Sequence, residues 1–210
     1  RDFDGDITKF MAVYQGKQNF QHKYLSYIPL GLIGCVGITE QYDESLLLIN
    51  NHLGIDLERK DENINSDKAL EIDGLDDDIK QLVLKSNRLD IKLYEEALFL
   101  HQTRLKVLNA GMPWVYGTVQ INPKNVLSGC AYFAHSADVV ELSIHKNGEP
   151  IAKINAHNYY HVLCKVNFPR ARYIGFNFPL PKTATNNDSF DVYVSETGKK
   201  INYHSLKVKG

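Results

Sequence analysis

The chain is 210 residues long, enough for one large domain or two small ones with a substantial core. Its 24 Lys and Arg residues nearly balance 25 Asp and Glu residues, and the net charge of −1 excludes the strongly basic proteins that attract nucleic acid. The longest apolar stretch, residues 28–38, is too short to span a membrane. We therefore expect that this protein does not bind nucleic acid and has no membrane-spanning segment.

The three cysteines, Cys35, Cys130 and Cys164, are widely spaced in apolar sequence. This pattern is typical of buried thiols in a reducing compartment, not of metal ligands or a disulfide framework, so we predict a cytoplasmic protein without a metal. The chain begins at Arg1 without a signal peptide, and we expect it to be a piece of a longer protein or a processed product.

The first half of the chain predicts helices around one buried strand. Gln18–Tyr27 is a short helix that ends before Pro29. Leu32–Ile38 is nearly all apolar, which is typical of a strand buried on both faces of a parallel sheet. Asp43 can cap the helix that follows, and Gly54 ends that helix in the favoured position.

Thr39 and Glu40 directly follow the predicted strand. Ligands bind at the carboxyl ends of strands in open α/β sheets, so these are the first candidates for substrate binding. The alternative is that they only begin the next helix.

A polar segment over residues 56–74 predicts a long loop, which is functional or simply a solvated surface. Its cationic and amide side chains include Arg59, Lys60, Asn63 and Lys68. Two further helices follow, one begun by Asp76 and its acidic neighbours, the other capped by Asp90. His101 lies on the apolar stripe of the second helix and is interpreted as a core histidine.

After Trp114 the pattern changes to short alternating runs separated by turn residues. These runs predict strands over residues 116–121, 126–133, 139–145, 150–156, 173–178 and 190–194. Asn147-Gly148 is a strong hairpin signal. Strands without intervening helices predict an antiparallel β-sandwich.

Two tyrosines in this half, Tyr159 and Tyr160, lie between His157 and His161. Tyrosines with polar neighbours can stack on sugar rings, so we predict that the pair binds substrate, although half-buried packing is the alternative. Two histidines without a third ligand are weak support for a metal site.

Three ordered segments resemble the carbohydrate sulfotransferases that use 3'-phosphoadenylyl sulfate. They are NFQHKYL at Asn19–Leu25, VGITEQYDESLLLINNHLGI at Val36–Ile55 and DIKLYEEALFLHQTRL at Asp90–Leu105. The resemblance implies a glycan acceptor and 3'-phosphoadenylyl sulfate as co-substrate. It also implies that a loop after the late helix contacts the 3'-phosphate, which would involve Arg59, Lys60, Asn63 and Lys68.

The family holds the donor in a glycine-rich loop with a lysine, and no such loop occurs in this sequence. If the resemblance holds, residues 1–106 are the C-terminal part of the catalytic fold. The missing N-terminal part would then be a partner of this chain, and no catalytic residue is assigned here.

The second half resembles a small β domain found at the C-termini of bacterial glycan-modifying enzymes. The matching segments are GTV at Gly117, LSGCAY at Leu127–Tyr132, NGEPIA at Asn147–Ala152 and GFNFPLP at Gly175–Pro181. Relatives usually carry Trp where Cys130 stands. The resemblance implies a role that is related to carbohydrate or to packing.

The sequence thus predicts two domains: residues 1–110 as a partial sulfotransferase-like α/β fold with a parallel sheet and helices, and residues 114–210 as an all-β sandwich. The predicted function is the C-terminal portion of a carbohydrate sulfotransferase-like enzyme that is inactive alone. The alternative is a non-catalytic module that binds glycan or organises an assembly through its sandwich.

Overall fold

The computed structural model describes residues 9, 18–60, 74, 76–161 and 167–208. The chain divides into two compact units. A helical unit comprises residues up to Ile28 together with Gly37–Leu98, and a sheet unit comprises Pro29–Val36 together with the chain from Phe99 onward. The fold therefore combines helices with β-sheets. None of the helices in the described ranges is both long and apolar enough to cross a membrane.

The helices that the sequence predicts are present. They are α1 (Phe20–Leu25), α2 (Tyr42–Leu53), α3 (Asp77–Ser86) and α4 (Arg88–Asn109). Helix α2 ends at Gly54, whose φ of 64° lies in the left-handed region that favours glycine at a helix end.

Two of the predicted caps are wrong. Helix α2 begins after Gln41, and Asp43 lies within its first turn, where negative charge favours the helix dipole. Asp90 lies inside the first turn of α4, and its carboxylate accepts the backbone N–H groups of Gln21 and His22 at the start of α1. Asp90 therefore stabilises the beginning of a helix other than its own.

Helices α1 and α4 are joined by a reciprocal contact. The side-chain oxygen of Asn19 accepts the backbone N–H of Leu89 at 2.8 Å, while Asp90 accepts the N–H of His22 at 2.8 Å. Each helix thus receives an acceptor for its unpaired N-terminal donors from the other helix. Sequence spacing alone could not indicate this pairing, because the partners are about 70 residues apart.

The predicted strand over Leu32–Ile38 is wrong. A short 3₁₀ helix occupies Leu30–Leu32, and the chain to Ile38 is irregular. In the sheet unit, the carbonyl oxygen of Ile33 accepts a hydrogen bond from the Arg104 guanidinium at 2.5 Å. Side chains that are distant in sequence therefore satisfy backbone groups that a strand would pair with its neighbours.

Close packing explains a glycine in this apolar run. A Cβ at Gly31 would lie 2.2 Å from the carbonyl oxygen of Gly117, which is far closer than any side chain tolerates. The segment that contains Gly31 lies flat against the strand that contains Gly117, and Leu30 beside it is only 3 % exposed. An apolar run can therefore be buried by covering a sheet instead of joining one.

In the described part of the sheet unit, seven strands form two sheets. They are β1 (Val115–Ile121), β2 (Val126–Phe133), β3 (Glu141–Lys146), β4 (Glu149–Asn155), β5 (Gly175–Pro179), β6 (Ser189–Val194) and β7 (Leu206–Lys207). The strand order is β1-β2-β5 in one sheet and β4-β3-β6-β7 in the other. Every strand pairing among the described residues is antiparallel, so a parallel sheet is not found there.

All of the predicted strands are confirmed to within a few residues, and only the two-residue β7 lacked a sequence signal. The β3–β4 hairpin turns at Asn147 and Gly148, with φ values of 52° and 88°. Positive φ at both positions identifies the tight turn that the Asn-Gly pair favours. The side-chain oxygen of Asn147 also accepts the backbone N–H of Ser189, which fixes the hairpin to β6.

One hydrophobic core receives side chains from both sheets. Its fully buried members include Val115, Leu127, Phe176, Leu142, Ile144, Phe190 and Val192. These residues alternate along their strands, so the residues between them point to the opposite faces. The two sheets are therefore held together by apolar burial, and each keeps an outer face for other contacts.

Candidate functional site

The outer face of the three-stranded sheet carries a row of polar side chains. Gln120 on β1 pairs with Ser128 on β2, and Ser128 pairs in turn with Asn177 on β5. Their sequence neighbours Leu127 and Phe176 point into the core. The antiparallel register therefore places two amides and a hydroxyl beside one another on one face of the sheet.

A segment after β4 runs along one edge of this row. Asn158 and Gly175 exchange two backbone hydrogen bonds, at 2.8 and 2.7 Å. The backbone N–H of Tyr160 donates to the carbonyl of Arg172 at 2.8 Å. These three bonds attach residues 158–160 to the sheet although the segment forms no regular strand.

Glycine is required at position 175 for this attachment. A Cβ there would lie 2.9 Å from the carbonyl oxygen of Asn158 and 3.4 Å from the carbonyl carbon of Tyr159. A larger residue would therefore push the segment away from β5. The glycine permits the close approach that brings the aromatic side chains to the polar row.

The two tyrosines of this segment have different surroundings. Tyr159 is 44 % exposed and contacts the rings of His161 and Tyr173 edge-on, with centroid distances of 4.7 and 5.6 Å. Tyr160 packs against Phe168, which in turn packs against Tyr132 on β2. Tyr159 therefore offers a ring to solvent, while Tyr160 belongs to a row of aromatic contacts over the sheet.

Together these residues enclose a cleft of about 340 Å³. It is lined by Pro29, Thr118, Val119, Gln120, Ser128, Gly129, Tyr159, Tyr160, His161, Gly175, Phe176 and Asn177. No Asp, Glu, Lys or Arg occurs among these lining residues of the described chain. The described lining thus carries no acidic side chain, lysine or arginine, and it offers hydroxyls, amides and aromatic rings.

The prediction that Tyr159 and Tyr160 bind substrate remains a prediction, and both residues lie in this cleft. Gln120, Ser128 and Asn177 were missed by the sequence analysis. Strand alternation could have assigned each of them to an outer face. Their convergence depends on register, which the sequence of separate strands does not specify.

Thr39 and Glu40 lie in the helical unit, in a 3₁₀ turn over Thr39–Gln41 that leads into α2, and both are exposed. The hydroxyl of Tyr94 donates to the Glu40 carboxylate at 3.4 Å. Desolvation, together with this carboxylate, raises the pKa of Tyr94. The structure therefore places both residues at the start of a helix, as the alternative interpretation expects.

Arg59 of the cationic loop forms an exposed ion pair with Asp43, at 2.9 Å, within the helical unit. Its guanidinium also lies 5.7 Å from the ring centre of Tyr42. Lys60 is exposed, whereas Asn63 and Lys68 lie outside the described residues. An anion that binds Arg59 must compete with a carboxylate already present.

No group of three or more His, Cys, Asp or Glu side chains in the described ranges is arranged to hold a metal ion. His157 bonds through Nδ1 to the carbonyl of its neighbour Asn155. Cys35 and Cys130 are free thiols, and Cys164 lies outside the described residues. Burial raises the pKa of Cys35, which favours its protonated form.

The neutral cleft is therefore the best-defined site in the described part of the chain. Comparison with protein-family models, with curated proteins and with solved structures found no match to this chain.

Proposed function

We propose that the sheet unit is a module that binds an uncharged saccharide in the cleft over β1, β2 and β5. The observation that carries the proposal is the row of Gln120, Ser128 and Asn177 beside the exposed ring of Tyr159. Sugar hydroxyls both donate and accept hydrogen bonds, as amides and the serine hydroxyl also do. The apolar face of a sugar ring can stack on a tyrosine.

The charge of the lining supports a neutral ligand. Acidic or sulfated sugars are usually held by Arg or Lys, which pair with the anionic group. None of the lining residues in the described part of the chain is Arg or Lys, so those residues supply no permanent cation for such a group. We therefore propose a neutral hexose or a short neutral oligosaccharide as the ligand class.

The size of the cleft also fits a small ligand. Its volume of about 340 Å³ lies at the lower end of the range for small-molecule sites, about 300 to 1,000 Å³. This suits one or two sugar rings.

The two antiparallel sheets with their common core support the interpretation of the unit as a β-sandwich. The free thiols of Cys35 and Cys130 support the proposal of a cytoplasmic location.

Binding can be measured by calorimetric titration with a panel of neutral and acidic oligosaccharides. We expect saturable binding to at least one neutral member. Replacing both Tyr159 and Asn177 with alanine should weaken this binding by about tenfold or more, because a ring contact and a hydrogen bond each contribute about 0.5 to 1.5 kcal/mol.

A matched control is Tyr24→Ala, which removes a tyrosine that is 68 % exposed in the helical unit. It should leave saccharide affinity unchanged. Failure of the wild-type chain to bind any neutral saccharide, or an equal loss in the control, would reject the proposed site.

We propose, as a second possibility, the sulfotransferase function that the sequence resemblance implies. One helix in the matching segments supports it. Helix α2 spans the leucine-rich part of the matching segment and ends at Gly54, and Arg59 follows a few residues later. In this proposal, Arg59 and Lys60 contact the 3'-phosphate of the nucleotide. The remaining donor-binding residues would then have to lie outside these 210 residues.

Arg59→Ala with Lys60→Ala tests the second proposal by titration with 3'-phosphoadenosine 5'-phosphate. We expect the double variant to bind at least about tenfold more weakly, since each charge-assisted hydrogen bond contributes about 1.5 to 3 kcal/mol. Displacing Asp43 from Arg59 should cost little, because exposed ion pairs contribute about 0 to 1 kcal/mol. Equal affinity of the variant and the wild type would leave this loop as ordinary surface.

A further inference from the structure

Two basic side chains are buried together in the sheet unit, apart from the saccharide cleft. Arg104, in the last turns of α4, and Lys199, which follows β6, are each 5 % exposed. Both contact the ring of Trp114: the guanidinium carbon lies 4.7 Å from its centre and the ammonium nitrogen 3.5 Å. We call Arg104, Lys199, Trp114 and His101 the buried cationic cluster.

Both cations of this cluster bond to backbone carbonyl groups, and Arg104 also bonds to the side chain of Cys35, a thiol whose pKa is raised by burial and which therefore favours its neutral form. Arg104 donates from Nη2 to Ile33 at 2.5 Å, and Lys199 donates from Nζ to Val115. Among the described residues neither cation forms an ion pair with a carboxylate. A carbonyl group accepts a hydrogen bond but supplies no negative charge.

Several other donors of the cluster are buried without an acceptor in the described part of the chain. They are Nε and Nη1 of Arg104 and Nε1 of Trp114, and neither ring nitrogen of the fully buried His101 has a partner there. His101 lies three residues before Arg104, on the same side of α4. Donors therefore greatly outnumber acceptors, which is costly in a buried site.

Loss of a proton from lysine relieves only part of this imbalance. Burial and the neighbouring Arg104 lower the pKa of Lys199 well below its ordinary value, which favours the neutral amine. Burial also lowers the pKa of Arg104, but a guanidinium stays charged in proteins. At least one buried positive charge therefore lacks a negative partner among the described residues.

We propose that the buried cationic cluster binds a small oxyanion, such as phosphate or a carboxylate. The anion would accept hydrogen bonds from Nε and Nη1 of Arg104 and from the indole N–H of Trp114. Lys199, on a flexible four-carbon side chain, would turn from the carbonyl of Val115 to the anion and regain its charge. An oxyanion suits this site because it offers several acceptor oxygens and a negative charge together.

The chain contains a single tryptophan, and it lies in the cluster. Its fluorescence therefore reports on the site directly. Phosphate and, separately, acetate would be titrated into the full chain, with chloride adjusted to keep the ionic strength constant. We expect a saturable fluorescence change with at least one oxyanion and none with chloride alone.

Lys199→Met keeps the length and apolar character of the side chain but removes its charge. It should weaken oxyanion binding by at least about tenfold, as expected for the loss of one charge-assisted hydrogen bond. Lys153→Met is the matched control, because Lys153 has the same charge but its side chain is 68 % exposed and pairs with Glu141. Circular dichroism and thermal unfolding verify that both variants are folded.

A response to acetate alone identifies a carboxylate ligand, and a response to phosphate alone identifies a tetrahedral oxyanion. The wild-type titration decides the proposal even if a variant does not fold. A wild-type chain whose fluorescence does not saturate with either oxyanion overturns it. An unchanged affinity in folded Lys199→Met overturns it as well.

Discussion

Replacing Phe190 with alanine is expected to lower the free energy of unfolding of the sheet unit by about 3 to 5 kcal/mol. Phe190 lies on β6, is fully buried and belongs to the core that both sheets form. Removing the ring takes away buried apolar surface that stabilises the folded state. It also leaves a cavity, because the close-packed neighbouring strands cannot move in to fill it. Equilibrium unfolding in urea, followed by circular dichroism, measures the change.

Tyr193→Ala, on the same strand, serves as the control. Tyr193 is partly buried and packs against His145 with ring centres 4.6 Å apart, and it is not part of the hydrophobic core. Tyr193→Ala should lower the free energy of unfolding by less than half as much as Phe190→Ala does. The reason is that removing a partly buried ring outside the core leaves little empty space behind. If both variants lose the same free energy, the two sheets do not share the core described above.

Replacing Gly175 with alanine is expected to weaken saccharide binding by about tenfold or more. The added Cβ would lie 2.9 Å from the carbonyl oxygen of Asn158, so the segment that carries Tyr159 must move. Small displacements in a binding site are costly because hydrogen bonds and ring contacts depend on distance. The effect would be measured by the same calorimetric titration.

This prediction has a structural readout that does not depend on the saccharide. The amides of Asn158 and Gly175 bond to each other's carbonyl groups, so their hydrogen exchange should accelerate in Gly175→Ala. Gly37→Ala is the control, since a Cβ there meets only Ser45 at an ordinary distance of 3.5 Å. Unchanged exchange in Gly175→Ala would show that the segment is not held as described, whereas faster exchange with unchanged affinity would reject only the binding role.

The strands of the second half were predictable because their signals are local. Along β2, Leu127 points inward and Ser128 outward, and Ala131 and Phe133 join Leu127 in the core at two-residue steps. Asn147-Gly148 specifies a tight turn through its own backbone preferences. The same is true of the end of α2, where Gly54 adopts the left-handed conformation.

The strand predicted over Leu32–Ile38 failed because an apolar run shows only that a segment is buried. It does not identify what covers the segment or which groups satisfy its backbone. In this protein, Arg104 and Tyr116 bond to the carbonyls of Ile33 and Gly34, which a strand would have paired with another strand. Asp90 was misjudged as the cap of its own helix for a related reason, since its carboxylate bonds to the start of α1 while Asn19 bonds to the start of α4. Asp43 was misplaced by two residues, because α2 begins after Gln41.

The sequence by itself determined the helices and the approximate bounds of the six longer strands. These depend on periodicity and on turn residues, which act over a few positions. Only the tertiary structure brought Gln120, Ser128 and Asn177 into one row, because their alignment depends on the register between strands. Likewise, the burial of Arg104 beside Lys199 arises from contacts across about a hundred residues of chain, which no local pattern encodes.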